Sequence, residues 1–355
     1  MIRETIIGLT GLYVCPASKR PGRTNWGIEG IMSKPFAAYA EKNNRRASIE
    51  LVVNFLAFLV FWAITYSLIK SGHYLWAAPI ILFNGVVLVR LFVLQHDCGH
   101  NVFFSNHKWN NRVGKLISLF TLAPYDWWRK DHSKHHAQSG HLEKRGTGDI
   151  WLLTVQEYKE LKPLKKFYYR LYRSAFVLLV IGPLLLFLVR MRIPDAFTRS
   201  HPKLLKSVLY TNVALVVFYG ALLFIFEPTG FFITHLLTVM VASSLGVWMF
   251  TVQHTFEDAY WAHGDSWSFD EAAWKGSSVL RLGALFDFMT ANICFHNIHH
   301  VNSQIPSYNL KRCYFENRDD IESREIFLIE ALRVTKFKLW SEELGRMIRM
   351  SELPA

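Results

Sequence analysis

Four apolar stretches, each about twenty residues long, constrain this chain more than any other feature, because segments of that length and character span a bilayer. They lie at 51–68, 74–95, 207–226 and 231–250. Residues 69–73 separate the first two and 227–230 the last two, so each pair reads as a hairpin. Arg90, the one charge in the second stretch, lies near its end and is expected to snorkel. Two further stretches do not meet the length and composition of a span. The one at 113–124 is too short, and 174–189 carries Gly182-Pro183 in its middle.

Charge sorts these segments. The short connections hold a single basic residue between them, whereas residues 1–50 hold eight and 96–173 hold fourteen. The positive-inside rule therefore places the N-terminus, the 96–173 region and the basic 190–206 loop in the cytoplasm. A segment that begins and ends on one side does not cross, so 113–124 and 174–189 are expected to be re-entrant or interfacial. The expected fold is all-α and multi-pass, with four transmembrane helices in two hairpins, a helical cytoplasmic cap and both termini inside. Residues 1–49 form a cytoplasmic arm with an interfacial segment at 1–15, residues 50–311 the main domain, and 312–355 a tail. Within the tail, 326–350 predicts one or two amphipathic helices. The net charge of +12 then follows from topology and gives no reason to expect a nucleic-acid partner. With 19% charged residues, below the roughly 25% of soluble domains, the composition agrees. The four cysteines show no CxxC spacing, and reduced thiols are expected.

Histidine is the second informative residue. Three boxes, HDCGH at 96–100, HSKHH at 132–136 and HNIHH at 296–300, fall on the same side of the expected membrane, as does His254. On a helix, residues three and four apart share a face, so each box can present its imidazoles together. A catalytic zinc needs three protein ligands, so eight or nine are too many for one. They suit two metals at four to five ligands each, although imidazole alone does not name the metal. The chain has neither HExxH nor E-x-x-H, which excludes the usual metalloprotease helix and the carboxylate-bridged di-iron bundle. A bis-histidine haem needs facing histidines inside the spans, and His235 alone lies deep in one. His73, His107, His141, His201, His235 and His263 read as surface or hydrogen-bonding residues.

The boxes, their order around the hairpins and the surrounding text resemble the membrane fatty acid desaturase superfamily. The closest passages are 132–158, QHTFEDAYW at 253–261 and HHVNSQIPSYNL at 299–310. They are similar to bacterial acyl-lipid desaturases of the omega-6 type, and the likeness runs over about 50–311. It implies a di-iron centre held by His96, His100, His132, His135, His136, His296, His299 and His300, with His254 at an extra ligand position. It also implies O2 as co-substrate and formation of a cis double bond in a phospholipid-linked acyl chain at the inner membrane. No HPGG haem segment follows, so two electrons are expected from an external carrier such as ferredoxin or flavodoxin.

Neutral imidazoles leave the charge of such a centre to be offset by carboxylates further out. Asp97, Asp131, Glu257 and Asp258 are the candidates to accept ring N–H groups, with salt bridging as their alternative. The apolar substrate calls for a tunnel, for which Trp127, Trp128, Trp151, Trp248, Trp261 and Phe295 are candidates; interfacial anchoring explains them equally. The basic 96–173 face suits acidic headgroups or an acidic electron donor, or reflects topology alone. Two rival functions remain. One is a lipid or carotenoid hydroxylase or ketolase of the same superfamily. The other is a histidine-rich metal transporter or sensor, which predicts more polar groups in the spans than Asn54, Asn84, Asn212 and His235.

Overall fold

The computed structural model of the protein describes residues 36–353 with the exception of Thr147. The expected interfacial segment at 1–15 lies outside the described residues. Eight helices position the site: α1 (Asn44–Lys70), α2 (Tyr74–Gly99), α3 (His107–Thr121), α4 (Tyr125–Gln138), α5 (Pro163–Tyr172), α6 (Pro202–Leu222), α7 (Pro228–His254) and α8 (His296–Val301).

The hairpins form where local chemistry starts and stops helices. The Asn43 side chain caps α1 by accepting the Arg46 N–H at 2.9 Å. Gly72, at φ +76°, turns the chain from α1 into α2. In the second hairpin the Glu227 carboxylate accepts the N–H groups of Thr229 and Gly230, and Pro228 occupies the first turn of α7.

Among the described residues, five helical stretches are long and apolar enough to cross a membrane: α1, α2, Val177–Ser200, α6 and α7. The third is one more than the four expected, and it is not uniform. It winds as a π-helix over Val177–Ile181, an α-helix over Gly182–Leu188 and a 3-10 turn over Arg190–Arg192. Pro183 has no N–H to give the preceding turn, and the winding changes beside it. The 113–124 stretch belongs to α3, which buries Val113, Gly114, Ile117 and Thr121.

The two long helices that end at the histidines, α2 and α7, are the inner ones. Of its apolar window, α2 buries 56% and α7 39%, against 17% for α6. They approach closely at Gly85, where an added Cβ would stand 2.3 Å from Val241 Cγ1. The outer faces of α1 and α6 turn Val52, Leu56, Val60, Val213, Val216 and Val217 away from the protein. An apolar surface this extensive belongs against lipid, and the protein is membrane-associated.

Polar groups within these helices mostly have partners. Arg90 does not snorkel. Its Nε donates to Asn54 Oδ1 at 2.7 Å, its Nη2 pairs with Glu50 Oε2 at 2.8 Å, and the Phe288 ring lies 4.4 Å away. The side chain turns inward because α1 offers it a carboxylate and an amide. Asn212 exchanges hydrogen bonds with Arg192, and His235 Nε2 lies 2.7 Å from the Tyr219 hydroxyl.

The chain is mostly helical but not all-α. Strand β1 (Leu153–Thr154) runs parallel to β4 (Phe337–Ser341), which pairs antiparallel with β5 (Arg346–Arg349). Strand β2 (Ser278–Arg281) runs parallel to β3 (Arg324–Phe327). The amphipathic helices expected over 326–350 are therefore replaced by strands, with one short helix at Leu328–Ala331. Leu339 and Trp340 pair with Ile348 and Met347 across a hairpin turned at Gly345 (φ +60°), and β1 supplies a distant partner that local periodicity does not reveal.

Candidate metal centre

Both inner helices carry Gln-His in their C-terminal turns, Gln95-His96 and Gln253-His254, and each glutamine fixes the helix end that carries its histidine. Gln95 Nε2 donates to Ser118 Oγ at 3.0 Å and Gln95 Oε1 accepts from Thr121 Oγ1 at 2.6 Å, tying α2 to α3. Gln253 Nε2 donates to the Ile293 carbonyl at 3.0 Å, tying α7 to the approach to α8. Asn297, inside the third box, donates to the Trp274 carbonyl at 2.8 Å. The second box lies on α4, whose Tyr125 hydroxyl donates to the Cys98 carbonyl at 2.7 Å.

These constraints gather all nine histidines into two adjoining groups. His96, His100, His132, His136 and His299 form one, and His135, His254, His296 and His300 the other; within each, one ring nitrogen per residue lies within 4.8 Å of the rest. His136 and His300 stack across the boundary with centroids 4.3 Å apart. Burial holds His100, His132, His136, His296, His299 and His300 well below the usual histidine pKa, keeping the rings neutral as metal binding requires.

The nitrogens are poorly served without a cation. His136 Nε2 sits 3.1 Å from His132 Nε2 and 3.0 Å from His299 Nε2. His296 Nε2 likewise faces His254 Nε2 at 2.9 Å and His300 Nε2 at 3.1 Å. A ring nitrogen has either one hydrogen or one lone pair, so neither can satisfy two such neighbours well. His96 Nε2, His100 Nε2 and His135 Nε2 are buried with no hydrogen-bond partner. Convergent, buried, neutral imidazoles of this kind fit metal ions.

Partners on the other ring nitrogens assign the tautomers. His135 Nδ1 donates to Asp149 Oδ1 at 2.6 Å and His254 Nδ1 to the Gly276 carbonyl at 3.1 Å. His96 Nδ1 lies 3.3 Å from Asp97 Oδ1, whose other oxygen accepts the Ser307 N–H. Each contact leaves Nε2 with its lone pair toward the group. Asp97 thus lies beside the His96 ring, and Asp149 is a carboxylate contact that sequence adjacency missed. Gly148, at φ +71° with its Cβ position 3.1 Å from His135 Cβ, delivers Asp149 to the ring.

The other three carboxylates are not so placed. Asp131 is buried, which raises its pKa to about 6, but among the described residues no hydrogen bond joins it to an imidazole. Glu257 pairs with Arg346 and Asp258 with Arg324, both at 3.1 Å. The chain leaves the helix after His254, so these neighbours in sequence point to the β5 and β3 arginines instead.

The aromatic set also divides. Trp128 stacks on His132 at 4.9 Å, and Trp261 lines a cavity beside His254 with Ile150, Leu152 and Phe250. Trp127 donates to Thr198 Oγ1, Trp151 packs on Tyr169, and Trp248 donates to the Ala331 carbonyl. Phe295 is fully buried against Tyr314. These four are occupied by core packing and do not line the cavity, whereas Phe250 escaped notice in the sequence.

Long apolar helices that end at a buried cluster of imidazoles define a membrane-associated protein equipped for metal chemistry. Residues 74–330 match the family described as Fatty acid desaturase. A fatty acid desaturase of Bacillus subtilis is 35% identical over 312 residues, covering 88% of each chain. An sn-1 acyl-lipid omega-3 desaturase (ferredoxin) of Synechocystis sp. is 31% identical over 246 residues, covering 65% of this chain and 64% of its own. An sn-1 oleoyl-lipid 12-desaturase of the same genus is 25% identical over 234 residues, 65% of each chain. The chain belongs to the fatty acid desaturase family and is an oxidoreductase of that kind.

Proposed function

We propose that the protein uses O2 to introduce a cis double bond into an acyl chain esterified in a membrane phospholipid. The observation that carries this reading is the double cluster of nine converging imidazoles at the ends of α2 and α7, in a chain of the desaturase family. One iron would be held by His96, His100, His132, His136 and His299, the other by His135, His254, His296 and His300. Iron bound there supplies what no side chain can, the oxidising power to take two hydrogens from adjacent unactivated methylenes while O2 is reduced to water. Asp149, Asp97 and the Gly276 carbonyl hold the imidazoles in one tautomer and orientation. Ile150, Leu152, Phe250 and Trp261 supply the apolar part of the lining of the small cavity beside His254.

Two electrons per turnover come from an external carrier, ferredoxin or flavodoxin, a reading supported by relatives named as ferredoxin-dependent. The excess of Lys and Arg at the histidine end favours a cytoplasmic centre in the inner membrane. Basic flanks at both ends of Val177–Ser200, with its change of winding, favour a segment that enters and returns, leaving four crossings. Arg90, Asn54, Asn212 and His235 are engaged with protein partners. Among the described residues only Asn84 and Thr234 are buried in the spans without one, which leaves little of the pathway that a metal transporter needs.

Expression in a host lacking the enzyme, followed by gas chromatography with double-bond location, tests the function. New double bonds in phospholipid acyl chains are expected. New hydroxyl or keto lipids without them would make it an oxygenase instead.

A further inference from the structure

Helix α5 has an outward face that the metal centre does not use. Its inner face is anchored: Tyr172 accepts the Trp151 N–H at 3.2 Å, Arg173 Nη2 donates to the Phe337 carbonyl at 2.8 Å, and Tyr169 bonds the Lys338 carbonyl. The opposite face carries Leu164, Phe167 and Leu171, at the i, i+3, i+7 positions of one helical stripe, and they are 63%, 58% and 41% exposed. The same segment carries Lys162 and Lys165, exposed, and Lys166 and Arg170, which lie over the Tyr158 ring with Arg170 Nε donating to the Tyr158 hydroxyl; no acidic residue occurs between Glu160 and Asp195.

We propose that α5 lies in the surface of an anionic bilayer, its apolar stripe among the acyl chains and its cations among the phosphates. Two observations select this occupant. The first is continuity: Phe176, 65% exposed, follows α5 and leads directly into the apolar Val177–Ser200 stretch, so the stripe begins where lipid-facing surface already exists. The second is charge: four cations and no acidic residue on a short helix with an exposed apolar stripe match an amphipathic helix at an anionic lipid surface. A second copy of the chain would bring those cations against themselves. An acidic soluble protein would leave the Leu and Phe side chains unmatched. The inference rests on the membrane reading of the long helices and not on the chemistry of the metal centre.

The test uses the full chain in phosphatidylglycerol vesicles, with Cys15 replaced by serine; the remaining cysteines, Cys98, Cys294 and Cys313, are buried. A nitroxide is attached in Phe167→Cys, and its collisions with O2 and with a water-soluble nickel chelate are compared by electron spin resonance. The expected label meets O2 in preference to nickel. Replacing Lys162, Lys165 and Lys166 together by glutamine should shift it toward nickel, by about fivefold in local partition per cation removed, and pure phosphatidylcholine should have a similar effect. A nickel-dominated label at 167 overturns the proposal, and so does a label shielded from both reagents, which would mean a protein covers the face. Val216→Cys, on the exposed face of α6, is the reference. Nickel contact at 216 as well would overturn the membrane reading along with this one, whereas nickel contact at 167 alone overturns only the α5 proposal.

Discussion

Asp149 Oδ1 accepts a hydrogen bond from His135 Nδ1 at 2.6 Å, and both side chains are buried. The contact sets the tautomer of a ring whose Nε2 has no other partner. Carboxylates behind ligating imidazoles typically contribute about 10–100-fold to metal affinity or activity. Asp149→Ala should therefore lose iron at about 10–100-fold lower chelator concentration, with desaturation falling in step. Asp149→Asn, which keeps an acceptor but not the charge, should lie between. Iron retention equal to the parent in both variants would reduce Asp149 to a packing role.

The division of the histidines makes a stoichiometric prediction. His136→Ala removes a ring from one group and His300→Ala from the other. Each variant should abolish double-bond formation, a larger loss than the roughly 100-fold upper range for an outer partner. Elemental analysis should find bound iron falling below two per chain in each. Wild-type desaturation in His135→Ala and His299→Ala would refute the two-iron assignment.

Helix packing gives a prediction about stability. An alanine methyl at Gly85 would meet Val241 Cγ1 at 2.3 Å, and Val241 is β-branched with few rotamers to move into. Overpacking of this kind costs about 1–3 kcal/mol. Gly85→Ala should lower the thermal midpoint in detergent, and Gly85→Ala with Val241→Gly, which also removes the Val241 Cβ that would stand 2.6 Å from the new methyl, should recover part of the loss. Equal midpoints for the single and double variants would mean the helices do not approach as described.

Away from the centre, His263 bridges two carboxylates, with Nδ1 2.6 Å from Glu143 and Nε2 2.6 Å from Glu342. Hydrogen bonds to Glu143 and then Glu342 raise its pKa above the usual value. Its contribution to stability is complete below the unfolded pKa of about 6.5 and is lost as pH rises through the folded value. Partial burial pushes Glu143 up, but hydrogen bonds from His263 and the Gly264 N–H bring it down to about 2. That contribution is present above about 4.5 and lost as pH falls toward 2. Thermal midpoints across pH should decline at both ends, by small amounts because the groups are half exposed. His263→Gln should flatten the alkaline decline.

What the sequence revealed and what it hid follow from the range of the interactions. The two hairpins and the nine histidines were legible because span length and box spacing are local patterns. Asp149 was not, since a glycine turn and not helical spacing brings it to His135. Glu257 and Asp258 misled for the opposite reason, because neighbours in sequence separate once the helix ends at His254. The β4–β5 hairpin was hidden in a segment too short to separate two-residue from helical periodicity, and its partner Leu153 is remote in sequence. The expected snorkelling of Arg90 failed similarly, because Glu50 and Asn54 belong to the preceding helix.

That inward ion pair makes a last prediction, in which order matters more than size. Arg90 is buried and Glu50 partly so, with the guanidinium also held by Asn54 and covered by Phe288. Removing one member of a buried pair leaves an uncompensated charge and costs about 3–5 kcal/mol, whereas replacing both with apolar residues often costs little. Glu50→Leu should therefore destabilise the protein more than Glu50→Leu with Arg90→Leu, despite removing fewer contacts. Since Glu50 retains some access to water, the single variant should fall near the lower end of that range, about 3 kcal/mol. Denaturation in detergent measures both, with desaturation of the folded fraction as a control. A double variant less stable than the single would show that the pair contributes net stability.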